Sequence, residues 1–152
     1  MAFSSTDFDK TRATLTVAIP TKLLHQDVAG TGVRQGFSAE RKHQVAVVDL
    51  PAKTLSVTYG GLEPGQQTNR HRHNYETILY ILSGEGYTVV ENESVPWRAG
   101  DAVYVPVWAW HHHVNISRDE SAAYLACENA PLLQNLGGIA LREESVAMEG
   151  KS

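Results

Sequence analysis

The stretch GQQTNRHRHNYETILYILSG, residues 65–84, decides the fold of this chain. Side chains at positions i and i+2 of a strand point to the same face of a sheet. His71 and His73 therefore project side by side, while Arg70 and Arg72 project from the opposite face. The apolar run TILYIL, residues 77–82, predicts a strand just after the histidines, and the glycine-containing SGEG ends it.

Short strands and turns continue along the rest of the chain. Turn residues in LEPGQQ, SGEG, WRAGD and SRDES separate β-branched and aromatic runs, which predicts an all-β sandwich or barrel. The predicted strands cover residues 45–50, 54–61, 77–82, 87–91, 102–107, 111–117 and 122–128. A helix is predicted over 129–138, with Asn129 as cap and Gly137 as left-handed stop, and a helical turn over 21–28. We therefore predict an N-terminal arm with early edge strands over 1–44, a barrel with its helix over 45–140, and a solvated tail over 141–152.

Composition narrows the class of protein. The 152 residues suffice for one domain with its own core, and 42% of them are hydrophobic. A net charge of −4 provides no basic surface, so we expect neither a nucleic-acid partner nor a membrane surface. The single cysteine, Cys127, lies in an apolar run and is interpreted as a buried, inert thiol. No signal peptide is recognised, and we expect a cytoplasmic protein.

A second histidine cluster, WAWHHHVN, covers residues 108–115. Strand alternation places His111, His113 and Asn115 on one face and His112 on the other. Imidazoles that converge from two strands can bind a transition metal, and imidazole is largely neutral at pH 7. The alternative is that these histidines are ordinary polar residues of half-exposed strands.

Both clusters carry fixed turn residues that resemble the two motifs of the cupin superfamily. In the first motif, Gly65 precedes His71 by six positions and Gly84 follows His73 by eleven; the second motif contains Gly100, Pro106, His111 and Asn115. The resemblance implies a double-stranded β-helix, or jelly-roll, barrel with a metal inside. Residues 101–115 and 130–144 are more loosely similar to the gentisate 1,2-dioxygenase branch, whose members are longer and have two barrels.

Two positions depart from the superfamily pattern. The motif glutamate would fall on Thr77, while Glu76 lies one residue earlier, and a shift of one residue in a strand reverses the side chain. We therefore favour a site of three histidines, His71, His73 and His111, with Glu76 as an additional candidate ligand. Trp108 occupies a glycine position of the second motif. The predicted substrate pocket contains Thr77, Tyr104, Trp108 and Asn115.

The predicted site restricts the chemistry. Three neutral histidines leave a divalent ion with its full charge, which favours an anionic bidentate substrate. The resemblance implies an oxidoreductase, a non-haem Fe(II) dioxygenase of an aromatic or enolic acid, with Zn, Ni or Mn as alternative ions. A metal-dependent isomerase, dehydratase or decarboxylase and a non-catalytic small-molecule-binding protein remain alternatives. His113 is the candidate proton carrier, with Glu76 as a second candidate, although His113 can equally be a hydrogen-bonded core residue.

The resemblance also implies a homodimer. Cupins commonly pair through edge strands, and the arm over residues 1–44 is expected to cover the partner's sheet edge.

Overall fold

Two five-stranded sheets form the protein, and all strand pairs within them are antiparallel. The computed structural model describes residues 17–146. Residues 1–16 of the predicted arm and 147–152 of the predicted tail lie outside this range. The predicted all-β jelly-roll class is confirmed.

The strands are numbered in chain order. The first sheet contains, from edge to edge, β1 (Gln44–Val47), β2 (Ser56–Leu62), β9 (Ala122–Glu128), β4 (Thr77–Ser83) and β7 (Ala102–Val105). The second contains β10 (Arg142–Glu144), β3 (His71–His73), β8 (His111–Asn115), β5 (Glu85–Val90) and β6 (Glu93–Arg98). The two histidine clusters therefore lie on neighbouring strands of one sheet.

Three short helices accompany the sheets: α1 (Val28–Thr31), α2 (Gln35–Arg41) and α3 (Ala130–Asn135). The predicted C-terminal helix is confirmed as α3, with a proline in its first turn and Gly137 just beyond it at φ +77°. The predicted helical turn over 21–28 was wrong. Asp27 adopts a left-handed conformation and its side chain caps Gly30 N, so helical structure begins only at Val28. Within residues 17–146, no helix has the length and apolarity needed to cross a membrane.

Two strands and one helix were not predicted, and the predicted histidine strand, β3, is short. β6 contains Pro96, which speaks against a strand in sequence but is tolerated here because β6 is an edge strand. β3 has only three residues, and β10 lies in the predicted solvated tail, where it pairs with β3. α2 lies in the predicted arm. Both β10 and α2 contribute residues to the site described below.

Alternation along β4 shows how the core forms. Leu79 and Ile81 are buried between the sheets, whereas Ile78 and Tyr80 lie on the exposed outer face. The inward side chains join one apolar cluster, whose members are Leu62, Leu79, Ile81, Trp97, Val103, Val105, Ala122, Tyr124 and Ala126. Because burying each large apolar side chain contributes on the order of 2 kcal/mol, this cluster is the main source of stability. Among residues 17–146, seven polar residues are also buried, including His73, His111 and His113. Cys127, which was predicted to be buried, is exposed.

The close approach of β5 to its neighbours requires glycine at position 86. Gly86 lies opposite Asn115 of β8 on one side and Trp97 of β6 on the other. A Cβ atom there would lie 2.0 Å from the carbonyl oxygen of Val114 and 2.5 Å from the Trp97 ring. Only a residue without a side chain fits between these two strands.

We expect Gly86→Ala to lower the free energy of unfolding by about 2 kcal/mol or more, because the added methyl overpacks against backbone. Gly36→Ala in α2 is the matched control: a Cβ there meets no atom within 4 Å, and alanine in a helix is more stable than glycine by roughly 0.5–1 kcal/mol. Urea denaturation of both variants measures the difference. Equal stabilities would contradict the packing argument.

Candidate metal centre

The antiparallel pairing of β3 with β8 brings the two histidine clusters together. His71 lies directly opposite His111, and their ring centroids are 4.1 Å apart. His73 lies two residues further along β3, with its ring 4.8 Å from that of His111. One ring nitrogen from each of these three histidines lies within 4.8 Å of the others. The three rings therefore converge on one point, as metal ligands must.

Backbone carbonyl groups determine which ring nitrogens are available. In each of the three rings, Nδ1 lies 2.7–2.9 Å from a backbone carbonyl oxygen two residues away, that of Asn69, Tyr75 or Ala109. A carbonyl oxygen can only accept a hydrogen bond, so Nδ1 carries the proton and donates it. Nε2 of each ring is then left with a free lone pair. Such an outer hydrogen bond is the usual means of orienting a metal-binding histidine.

Burial keeps the three imidazoles neutral. It lowers the pKa of His71 to about 4 and that of His111 to about 3, with neighbouring histidines as a further cause. Burial lowers the pKa of His73 as well. At neutral pH no proton therefore competes with a metal for Nε2. Three neutral nitrogen donors fit a divalent transition metal, whereas magnesium and calcium require oxygen ligands.

Glu76 lies away from the three histidines, with its carboxylate engaged elsewhere. Tyr104 Oη donates to Glu76 Oε1 at 2.8 Å, and Asn129 Nδ2 donates to Oε2 at 3.4 Å. The Glu76 backbone N–H donates in return to Asn129 Oδ1 at 2.9 Å. Glu76 and Tyr104 are both exposed. Glu76 lies one residue before the position of the motif glutamate, and in the structure its side chain points outward.

A different carboxyl group lies beside the position of the motif glutamate. Thr77 is buried and lines the cavity around the histidines, and its Oγ1 donates to Glu128 Oε1 at 3.2 Å. Thr77 of β4 and Glu128 of β9 are directly opposite each other in the sheet. Burial raises the pKa of the Glu128 carboxyl. The cavity therefore contains an acidic group, although that group is not part of the histidine cluster.

Two arginines line the same cavity. Arg41 comes from the end of α2, where its guanidinium stacks on Phe37, and Arg142 comes from β10, where it pairs with Glu144 at 2.7 Å. The Nε atoms of both arginines are buried without a hydrogen-bond partner among residues 17–146. Unpaired buried N–H donors are costly, and the two arginines place positive charge at the wall of the cavity.

His113 is buried beside the cluster, with its ring 5.6 Å from that of His111. Its environment differs from that of the three converging histidines, because its Nδ1 faces a hydroxyl group, Thr88 Oγ1, at 2.9 Å. Thr88 Oγ1 also accepts the indole N–H of Trp97 at 3.0 Å and has a second lone pair and its own proton for the contact with His113 Nδ1. His113 lines the same cavity as the three converging histidines. Burial lowers the pKa of His113 well below its ordinary value.

Three residues of the predicted pocket lie outside the cavity. Tyr104 is 52% exposed on the outer face of β7. The Trp108 ring stacks over the Arg72 guanidinium at 4.3 Å, on the face opposite the histidines. Its backbone has φ +64°, which explains why the motif has glycine at this position. The amide of Asn115 bonds backbone groups of Leu62, Glu63, Glu120 and Ser117, so this residue holds loops together.

The cavity also contains residues that the sequence analysis did not select. Tyr124 and Glu128 lie on the inward face of β9, and alternation from the buried Ala122 and Ala126 would have identified both. No comparable signal marks Arg41 and His43, because they precede β1 in a segment interpreted as an arm. Arg142 lies in the predicted tail.

Comparison with known proteins agrees with this architecture. The cupin domain family matches residues 59–127. The chain is 38% identical over 98 residues to a 5-aminosalicylate 1,2-dioxygenase of Comamonas sp., covering 64% of this chain and 25% of that protein. It is 32% identical over 87 residues to gentisate 1,2 dioxygenase 1 of Aquipseudomonas alcaligenes, covering 51% and 25%. The chain thus spans about a quarter of the length of these relatives.

The fold of this chain is also similar to that of a solved structure. The salicylate 1,2-dioxygenase from Pseudaminobacter salicylatoxidans superposes with a TM-score of 0.64 at 21% identity, covering 74% of this chain and 34% of that one. At this identity, the likeness concerns the fold. Together with the cupin domain matched over residues 59–127 and the two-sheet architecture, it shows that this chain has a cupin-type fold.

Proposed function

We propose that this protein is a metal-dependent dioxygenase of a hydroxylated or amino-substituted aromatic acid, with Fe(II) held by His71, His73 and His111. The observation that carries the proposal is the common hydrogen-bond pattern of the three histidines. Each ring donates from Nδ1 to a carbonyl group and leaves Nε2 free toward a shared point. The sequence relatives are named for the ring-cleaving oxidation of such acids, which supports the same chemistry.

The metal and the protein have separate tasks. Bound by three neutral nitrogens, Fe(II) supplies redox chemistry and open coordination positions. The protein binds the substrate: Arg41, which lines the cavity and forms no ion pair among residues 17–146, provides the positive charge that a carboxylate requires, whereas Arg142 is already paired with Glu144. His113 also lines the cavity beside the cluster, where it can contact the substrate. The two sheets around the cavity restrict access of water to these groups.

Removal of the histidines tests the metal site. We expect His71→Ala and His111→Ala to lower metal affinity by at least about 100-fold, since each removes one of three ligands. Metal analysis of protein produced in iron-supplemented medium, with the wild type near one ion per chain, measures the loss. His112→Ala is the matched control, because it alters the same strand on the face that points away from the cluster. Equal metal content in all four proteins would refute the site.

Substitution of Arg41 tests substrate recognition separately from metal binding. We expect Arg41→Met to weaken binding of an aromatic carboxylate by about 10- to 100-fold, as charge-assisted hydrogen bonds contribute roughly 1.5–3 kcal/mol. Metal content should be unchanged. Arg34→Met is the control, because Arg34 is exposed and lies outside the cavity. Calorimetry with salicylate and gentisate measures affinity, and equal affinities of the two variants would remove Arg41 from the site.

Oxygen uptake distinguishes the reaction classes. With gentisate, salicylate or 5-aminosalicylate as substrate, a dioxygenase consumes one O₂ for each ring opened, and the aromatic absorbance disappears only under air. Loss of substrate under nitrogen would instead indicate a lyase or isomerase. Binding without turnover under either gas would indicate a non-catalytic small-molecule-binding protein.

A further inference from the structure

Tyr124 is a cavity residue to which the proposed reaction assigns no task. It lies on the inward face of β9 and is only 6% exposed. Its ring centroid is 5.9 Å from that of His113, and both residues line the cavity. Tyr124 is therefore a polar residue of the cavity wall that is separate from the three converging histidines.

A glycine opposite Tyr124 creates the space for its ring. Gly60 of β2 pairs directly with Tyr124. A Cβ atom on Gly60 would lie 2.3 Å from Tyr124 Cζ and 2.6 Å from Oη. The phenol thus occupies the volume that a side chain on Gly60 would need. The position of the Tyr124 ring therefore requires glycine at position 60.

His43 determines the direction of the hydrogen bond at Tyr124. His43 Nδ1 lies 2.9 Å from the carbonyl oxygen of Arg41, which can only accept, so Nδ1 carries the proton. Burial lowers the pKa of His43, so its Nε2 has a free lone pair at neutral pH. Nε2 lies 3.1 Å from Tyr124 Oη, so the phenol is the donor in this bond. Since a hydroxyl has one hydrogen, Tyr124 Oη offers only lone pairs to any other group in the cavity.

On the basis of the proposed function, we propose that Tyr124 is a specificity-determining residue and His43 its positioning residue. Tyr124 Oη accepts a hydrogen bond from a substituent on the substrate ring, away from the pair of groups that binds the metal. The cavity therefore selects aromatic acids that carry a hydroxyl or amino donor at that place over acids that lack one. Glu128, which bonds Thr77 on the same inner face, adds acceptor character to the cavity.

Binding measurements under nitrogen on the metal-loaded protein test this inference without turnover. The probes are gentisate, salicylate and 5-nitrosalicylate, which share the carboxylate and the adjacent hydroxyl. Only gentisate carries a second donor on the ring, whereas the nitro group only accepts. We expect wild type to bind gentisate about tenfold more tightly than salicylate, the effect of one hydrogen bond. Tyr124→Phe should lose this preference and leave salicylate affinity unchanged, and Gly60→Ala, by displacing the phenol, should act in the same way.

His43→Leu provides a readout that a merely structural role would not produce. Without the His43 acceptor, the Tyr124 hydroxyl is free to donate into the cavity. We expect 5-nitrosalicylate to bind several-fold more tightly to this variant than to wild type and gentisate to bind more weakly. A uniform loss for all three acids would overturn the positioning role.

Two other outcomes separate this inference from the proposed function. If wild type binds salicylate and gentisate equally and Tyr124→Phe changes neither affinity, the assignment of Tyr124 is wrong and the proposed function stands. If metal-loaded wild type binds none of the three acids, the proposed substrate class is wrong and the assignment of Tyr124 falls with it.

Discussion

The hydrogen bond from a histidine Nδ1 to a backbone carbonyl group is the interaction on which the site depends. It recurs in His71, His73 and His111, each time with a carbonyl two residues away in the chain. Because the carbonyl belongs to the turn or strand beside the histidine, the backbone itself determines the tautomer and the ring orientation. The same interaction has another consequence in His43, where it makes Nε2 an acceptor for the phenol of Tyr124. Backbone carbonyl groups thus determine which nitrogen donates and which accepts in four histidine rings around one cavity.

Among residues 17–146 no carboxylate joins the three converging histidines, and this determines the charge of the candidate site. In the superfamily pattern a glutamate follows the paired histidines, but Thr77 occupies that position here and Glu76 bonds Tyr104 on the exposed side. The carboxyl of Glu128 lies beside Thr77 instead and belongs to the wall of the cavity. A divalent ion bound by neutral imidazoles alone would keep its full charge beside Arg41. Such a surplus of positive charge favours a ligand with two anionic groups, because burial of an unpaired charge is costly.

The sequence predicts the parts of this structure that depend on local periodicity. Alternation alone identifies the faces of His71, His73 and His111, and the motif turns predict that β3 and β8 meet. The cavity also depends on tertiary contacts that bring in Arg41, His43 and Arg142. α2 packs against β1, and β10 pairs with β3, which is almost seventy residues away in the chain. Propensity does not encode such pairings, because a short polar segment acquires its structure only from the sheet it joins. The assignment of Tyr104 to the pocket was wrong for a different reason. Alternation along a strand shows which side chains share a face of the sheet, but it does not show which face is internal.

The cavity combines donors and acceptors in an arrangement that limits what can bind. Arg41 and Arg142 offer N–H groups with no partner among the described residues, whereas Tyr124 offers only lone pairs and Glu128 a buried carboxyl. A ligand that satisfies all of them needs an anionic group and a separate proton donor on one small rigid frame. A hydroxylated or aminated aromatic acid meets both requirements, whereas a simple aliphatic carboxylate leaves the acceptor unpaired. Because an unpaired buried polar group costs about 1–3 kcal/mol, the mismatch itself discriminates between ligands. Under the proposed function, selectivity would therefore follow from hydrogen-bond directions that the residues of the cavity already have without a ligand.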